Sequence, residues 1–126
     1  MSEWSVELKI YEFHENPHWY VNLKILKKIF KILAKKENSH GVYSKEINLP
    51  KVGIYLLYNQ EIVLVSVSRL SIYKRLNVYE FIKDENRQIE RLLVSCAPSN
   101  YKDEIQYYQK LSLRNLNFKS FNHGIN

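Results

Sequence analysis

The chain has 126 residues, of which 45% are hydrophobic and 25% are charged, and its formal net charge at pH 7 is +6. This length suits one domain with a modest core, and the composition excludes wholesale disorder. The single cysteine, Cys96, excludes a disulfide framework and a thiolate metal cluster. The absence of a long apolar run and of a signal-peptide pattern predicts a cytoplasmic protein with no membrane partner. The excess of positive charge suits a polyanionic partner.

Residues 1–50 are expected to form an N-terminal extension made of one strand and one basic amphipathic helix. Apolar and polar residues alternate from Ser5 to Phe13, which predicts a strand. After Pro17, apolar residues between Trp19 and Lys36 recur at helical spacing, and the polar segment from Asn38 to Gly41 is expected to end this helix. The opposite face of this helix carries five lysines: Lys24, Lys27, Lys28, Lys31 and Lys35. Such a row is either a solvated surface or a track for phosphate groups.

From residue 51 onward the pattern predicts a second unit that begins with a hairpin. Two segments rich in β-branched and aromatic residues, Gly53 to Tyr58 and Glu61 to Val67, flank the turn residues Asn59 and Gln60. The remaining elements are predicted in this order: a helix capped by Ser68 or Ser71 and containing Ile72, Leu76 and Tyr79, a third strand from Ile89 to Ala97, and a helix starting at Pro98. The expected fold class is α/β (α+β), with a small three-stranded antiparallel sheet flanked by helices.

The hairpin contains the residues of a family motif. Gly53-Ile54-Tyr55 resembles the first motif of the GIY-YIG endonuclease family, and Leu64-Val65-Ser66 lies where the second motif belongs. The resemblance covers residues 52–122, and we identify 51–126 as a GIY-YIG-like domain. It implies a divalent-metal-dependent endonuclease that hydrolyses phosphodiester bonds, with Mg²⁺ as its cofactor and DNA rather than RNA as its preferred substrate.

The resemblance also implies a set of site residues. Tyr55 would act as general base or position the attacking water, and Arg75 would neutralise phosphate charge. Glu104 would hold the Mg²⁺ ion, since magnesium prefers hard oxygen ligands. Asn122 follows an aromatic residue near the end of the chain, as the family's late asparagine does. We assign nucleic-acid binding to Asn122, to Lys74 and to the five lysines of the first helix.

Two residues of the second motif differ from the family pattern. Leu64 replaces a tyrosine and removes a hydroxyl group, and Ser66 replaces a glycine and adds a side chain. The sequence therefore leaves a second function open. A catalytically inactive GIY-YIG-like module would keep the fold and bind nucleic acid or a protein partner.

Overall fold

The structure is a computed structural model that describes residues 3–35, 43–44, 48–75 and 78–115, with side chains described as far as residue 111 but not at 43 and 44. These residues form a mixed α/β fold in which an antiparallel sheet of seven strands packs against three helices. Among the helices of these ranges, none has the length and apolar character that crossing a membrane requires.

The sheet includes strands from both halves of the chain. The strands are β1 (Trp4–Lys9), β2 (His18–Tyr20), β3 (Tyr43–Ser44), β4 (Gly53–Tyr58), β5 (Glu61–Val67), β6 (Leu70–Arg75) and β7 (Val78–Lys83). Their order in the sheet is β2-β1-β4-β5-β6-β7-β3, and each neighbouring pair is antiparallel. Because β1 pairs with β4 along its full length, the N-terminal residues and the hairpin share one sheet.

The helices α1 (Leu23–Lys35), α2 (Gln88–Ser95) and α3 (Lys102–Asn115) cover one face of this sheet. Alternate residues of β4, Ile54 and Leu56, point toward the helices and are fully buried with them. The residue between them, Tyr55, points to the opposite face. There it joins a second buried cluster with strand residues Val65, Val67, Leu70, Ile72 and Phe81.

Several predicted elements are confirmed. The structure contains the first strand, and the hairpin of β4 and β5 turns at Asn59 and Gln60, which both have positive φ. The basic helix is present as α1, and its apolar face is buried through Leu26, Ile29 and Leu33. The last predicted helix is present as α3, which a short 3-10 turn at Ser99–Tyr101 precedes.

The predicted three-stranded sheet is wrong, because the described sheet has more strands and one predicted helix is a strand. Leu70 and Ile72 alternate with Ser71 and Tyr73, and β6 is paired on both sides by β5 and β7. The first helix also begins later than predicted. Trp19 belongs to β2, where its indole Nε1 donates a hydrogen bond to the carbonyl oxygen of Leu93 at 3.0 Å.

The predicted third strand, Ile89 to Ala97, is also wrong, because residues 88–95 form α2. Ile89 and Leu93, four residues apart, bury one side of this helix. Asp84 satisfies its first backbone amides, accepting hydrogen bonds from Ile89 N at 3.0 Å and Glu90 N at 3.2 Å. The predicted end of the first helix, at Asn38 to Gly41, lies outside the described residues.

Candidate functional site

Tyr55, the predicted general base, is almost completely buried. Its side chain is 2% exposed, and its hydroxyl donates a hydrogen bond to the carbonyl oxygen of Pro50. Burial, followed by the charges of Glu7 and Tyr79, raises the pKa of Tyr55 to about 12. The phenol is therefore protonated near neutral pH, and it donates this proton in the hydrogen bond to Pro50.

The structure does not bring the three predicted catalytic residues together. Arg75 lies at the end of β6, where its Nη2 atom is 3.6 Å from Oε2 of the buried Glu80. Glu104 lies in the first turn of α3 and is partly exposed. Because α3 packs on the helix side of the sheet and Tyr55 points to the other side, the sheet separates Glu104 from Tyr55. Within the described ranges, no group of three or more His, Cys, Asp or Glu residues is placed to hold a metal ion.

Two further predicted binding residues have different outcomes. Lys74 is partly exposed in β6, and the strand period turns it to the sheet face opposite to that of Arg75. Asn122 lies outside the described residues.

The five lysines of α1 are all exposed, as the sequence predicts for one face of this helix. The helix contains no acidic residue, so its surface carries five positive charges without a carboxylate of its own. Among the ion pairs within the described part of the chain, none involves these lysines. This surface is therefore available to a polyanion.

A groove between α1 and α2 brings three of these lysines close to an arginine of α2. It has a volume of about 450 Å³ and is lined by Lys28, Lys31 and Lys35 of α1 and by Gln88 and Arg91 of α2. We call these five residues the basic groove. A guanidinium can hold phosphate oxygens in two parallel hydrogen bonds, and the lysine ammonium groups add positive charge around them. Ile32 and Leu92 also line the groove and provide apolar surface between the cations.

Sequence reasoning found the lysines of the groove but missed Arg91. The predicted strand over residues 89–97 gave Arg91 no relation to the first helix. The signal that could have found it is the spacing of Ile89 and Leu93, because a helix buried through these residues turns Arg91 to its outer side.

A second group of polar residues lies at α2, where Glu90 and Tyr108 are buried and Arg87 is partly buried. Tyr108 donates a hydrogen bond to Oε1 of Glu90 at 2.7 Å, and Nη1 of Arg87 lies 3.6 Å from Oε2 of the same carboxylate. Burial raises the pKa of Glu90, and it also raises the pKa of Tyr108 well above its ordinary value. Glu90 and Tyr108 are 3% and 0% exposed, so a substrate cannot reach them in this conformation. We call Arg87, Glu90 and Tyr108 the buried polar cluster, and we interpret it as structural.

No protein-family model, curated protein or solved structure matches this chain. The assignment of the candidate site therefore rests on geometry and charge alone.

Proposed function

We propose that the protein binds the phosphate backbone of nucleic acid through the lysine face of α1 and the basic groove. The observation that carries this proposal is the convergence of three lysines and one arginine, from two helices, on a single concave surface. Isolated surface lysines are commonplace, whereas cations from separate elements that line one groove form a site for a charged ligand.

The dimensions of α1 suit an extended polyanion. Lys24 and Lys35 are eleven positions apart, so at a rise of about 1.5 Å per residue the lysine face extends about 16 Å. This is about five base-pair steps of a duplex, at about 3.4 Å per step along each strand. Several successive phosphates can thus contact the helix at once. Each neutralised phosphate releases counterions, and this release drives binding that does not depend on base sequence.

The positions of Tyr55 and Glu104 favour a binding module over an endonuclease. A general base near neutral pH needs a lowered pKa, whereas the pKa of Tyr55 is raised to about 12. Glu104 lies on the other side of the sheet from Tyr55, so one phosphodiester cannot contact both side chains in this conformation. The catalytically inactive module is therefore the function that we propose, and the GIY-YIG likeness stays a prediction.

The proposal is tested by fluorescence anisotropy with labelled duplex DNA, single-stranded DNA and an RNA hairpin. The test variant is Lys28→Gln/Lys31→Gln in the basic groove. The control variant is Lys102→Gln/Lys110→Gln on α3, which removes the same charge from exposed positions outside the groove. We expect the groove variant to weaken binding about tenfold and the control variant less than about twofold. Equal losses in the two variants, or the absence of binding by the wild type, would contradict the proposal.

A further inference from the structure

A second concave region lies beside the end of β1, where the Tyr55 ring is buried. It has a volume of about 570 Å³ and is lined by residues from β1, the loop after it, the segment that leads into β4, and β5. Its apolar walls include Ile10, Leu49 and Ile62, and we call it the Tyr55 pocket. Its volume falls within the range of about 300–1,000 Å³ that is typical of small-molecule sites.

The residues of the Gly53-Ile54-Tyr55 motif build one side of this pocket. The Tyr55 hydroxyl donates its hydrogen bond to Pro50, so it holds the segment before β4 against the sheet. Gly53 lets β4 lie close to Val65 of β5. A Cβ atom at this position would lie 3.3 Å from Cγ1 of Val65 and 3.6 Å from Cε1 of Tyr55. A Cβ atom there would press on Val65, whereas its contact with the Tyr55 ring would be an ordinary van der Waals contact. The motif thus has a role in shaping a cavity that requires no catalysis by Tyr55.

The charges of the pocket favour a negatively charged ligand. The ammonium of Lys9 lies 4.3 Å from the centroid of the Tyr55 ring, a distance that fits a cation–π interaction and fixes this charge at the pocket wall. Lys51 is an exposed second cation on the lining, and Glu12 is the acidic residue there. Two lysines against one glutamate leave a formal charge of +1 on the lining residues. An apolar cavity with a few converging charges is the usual form of a site that binds an amphiphilic small molecule.

We propose that the Tyr55 pocket binds a small organic anion. The apolar or aromatic body of the ligand lies against Leu49 and Ile62, and its carboxylate pairs with Lys9 and Lys51. Because Lys9 is partly buried, its ion pair with a bound carboxylate is less screened by water than an exposed pair. The pocket shares no lining residue with the basic groove, so this proposal stands independently of nucleic-acid binding.

The test uses the full chain with two anionic probes, 2-naphthoate and octanoate, and with the neutral analogue 2-naphthamide. Binding is followed by calorimetry and by backbone amide shifts in nitrogen-15 NMR spectra. We expect at least one anion to bind at millimolar concentration or below and to shift the amides of residues 9–12 and 51–55. If 2-naphthoate is the anion that binds, the neutral amide should bind about tenfold more weakly.

Variants locate the site and separate binding from folding. Lys9→Gln and Lys51→Gln change partly or fully exposed side chains, and each should weaken binding of the anion about threefold to tenfold. Ile62→Trp fills the cavity and should abolish binding, while Lys102→Gln on α3 should leave it unchanged. The proposal is overturned if neither anion binds, if 2-naphthamide binds as tightly as 2-naphthoate, or if both lysine variants keep wild-type affinity.

Discussion

Tyr108 of α3 donates a hydrogen bond of 2.7 Å to Glu90 of α2, and both side chains are buried between the helices and the sheet. The same hydroxyl lies 3.3 Å from the carbonyl oxygen of Ser66 in β5. One phenol thus contacts a second helix and the sheet. Because a buried carboxyl group needs hydrogen-bond partners, we infer that this contact fixes α2 and α3 on the sheet.

Removing the Tyr108 hydroxyl should destabilise the fold. In Tyr108→Phe the ring still fills its site, but Glu90 loses a hydrogen-bond donor in a buried position. We expect a loss of about 1–3 kcal/mol in the free energy of unfolding, measured by urea denaturation. Tyr107→Phe is the matched control, since Tyr107 is its neighbour in the chain and is 49% exposed. Equal stability of the two variants would show that the Tyr108–Glu90 contact does not stabilise the fold.

Glu90 should make stability depend on pH in a particular direction. Burial raises its pKa in the folded protein above the ordinary value of 4.5, so the folded state holds a proton where the unfolded state has released it. The stabilisation from the protonated form is present below the unfolded pKa and is lost as pH rises through the folded pKa. We therefore expect the unfolding free energy of the wild type, relative to Glu90→Gln, to fall as pH increases from 4.5 through the raised pKa of the folded protein. A relative stability that rises over this interval would contradict the assignment.

Tyr55 should behave as a structural residue. Tyr55→Phe leaves the carbonyl oxygen of Pro50 without this donor, and we expect a loss of about 1–2 kcal/mol in the free energy of unfolding. Tyr58→Phe provides a control on the same strand, because Tyr58 is 36% exposed and its ring still contacts Trp4 after the change. Thermal or urea unfolding measures both variants. An unchanged stability in Tyr55→Phe would argue that its hydroxyl serves a purpose other than holding Pro50.

The purified protein should not cleave nucleic acid. We expect plasmid DNA, single-stranded DNA and structured RNA to remain intact with Mg²⁺ or Mn²⁺, because Tyr55 and Glu104 lie on opposite sides of the sheet. Gel electrophoresis after long incubation measures this. Metal-dependent cleavage by the wild type that disappears in Glu104→Ala would restore the endonuclease as the function.

Strong local patterns explain which parts of the fold were predictable. The strands β4 and β5 are rich in apolar residues on both sides of a polar turn, and α1 has a complete apolar stripe. The turn between β5 and β6 has no comparable sequence pattern. Ser68 adopts a φ of 54° without being glycine or asparagine, so the sequence does not mark the passage from β5 into β6. The helical spacing of Ile72, Leu76 and Tyr79 then suggested a helix where β6 and β7 form.

Tertiary contacts explain why the sequence did not predict α2 or its two residues in the basic groove, Gln88 and Arg91. The segment from Ile89 to Val94 contains two β-branched residues and two leucines, a composition that predicts a buried strand. Its helical form depends on Asp84, which accepts two backbone hydrogen bonds at the start of α2, and on the burial of Glu90 against Tyr108. Tyr108 is 18 residues from Glu90, so the local sequence pattern does not reveal their contact. The lysine face of α1 needed no such context and was predicted from spacing alone.

The salt dependence of DNA binding tests the central claim most directly. The observed association constant of the wild type for duplex DNA should fall linearly on a log–log plot between about 50 and 200 mM salt. In Lys28→Gln/Lys31→Gln the magnitude of the slope should decrease by about 2, because each lost lysine removes one phosphate contact. Lys102→Gln/Lys110→Gln should keep the wild-type slope. An unchanged slope in the groove variant, or the same decrease in the control variant, would contradict binding through the basic groove.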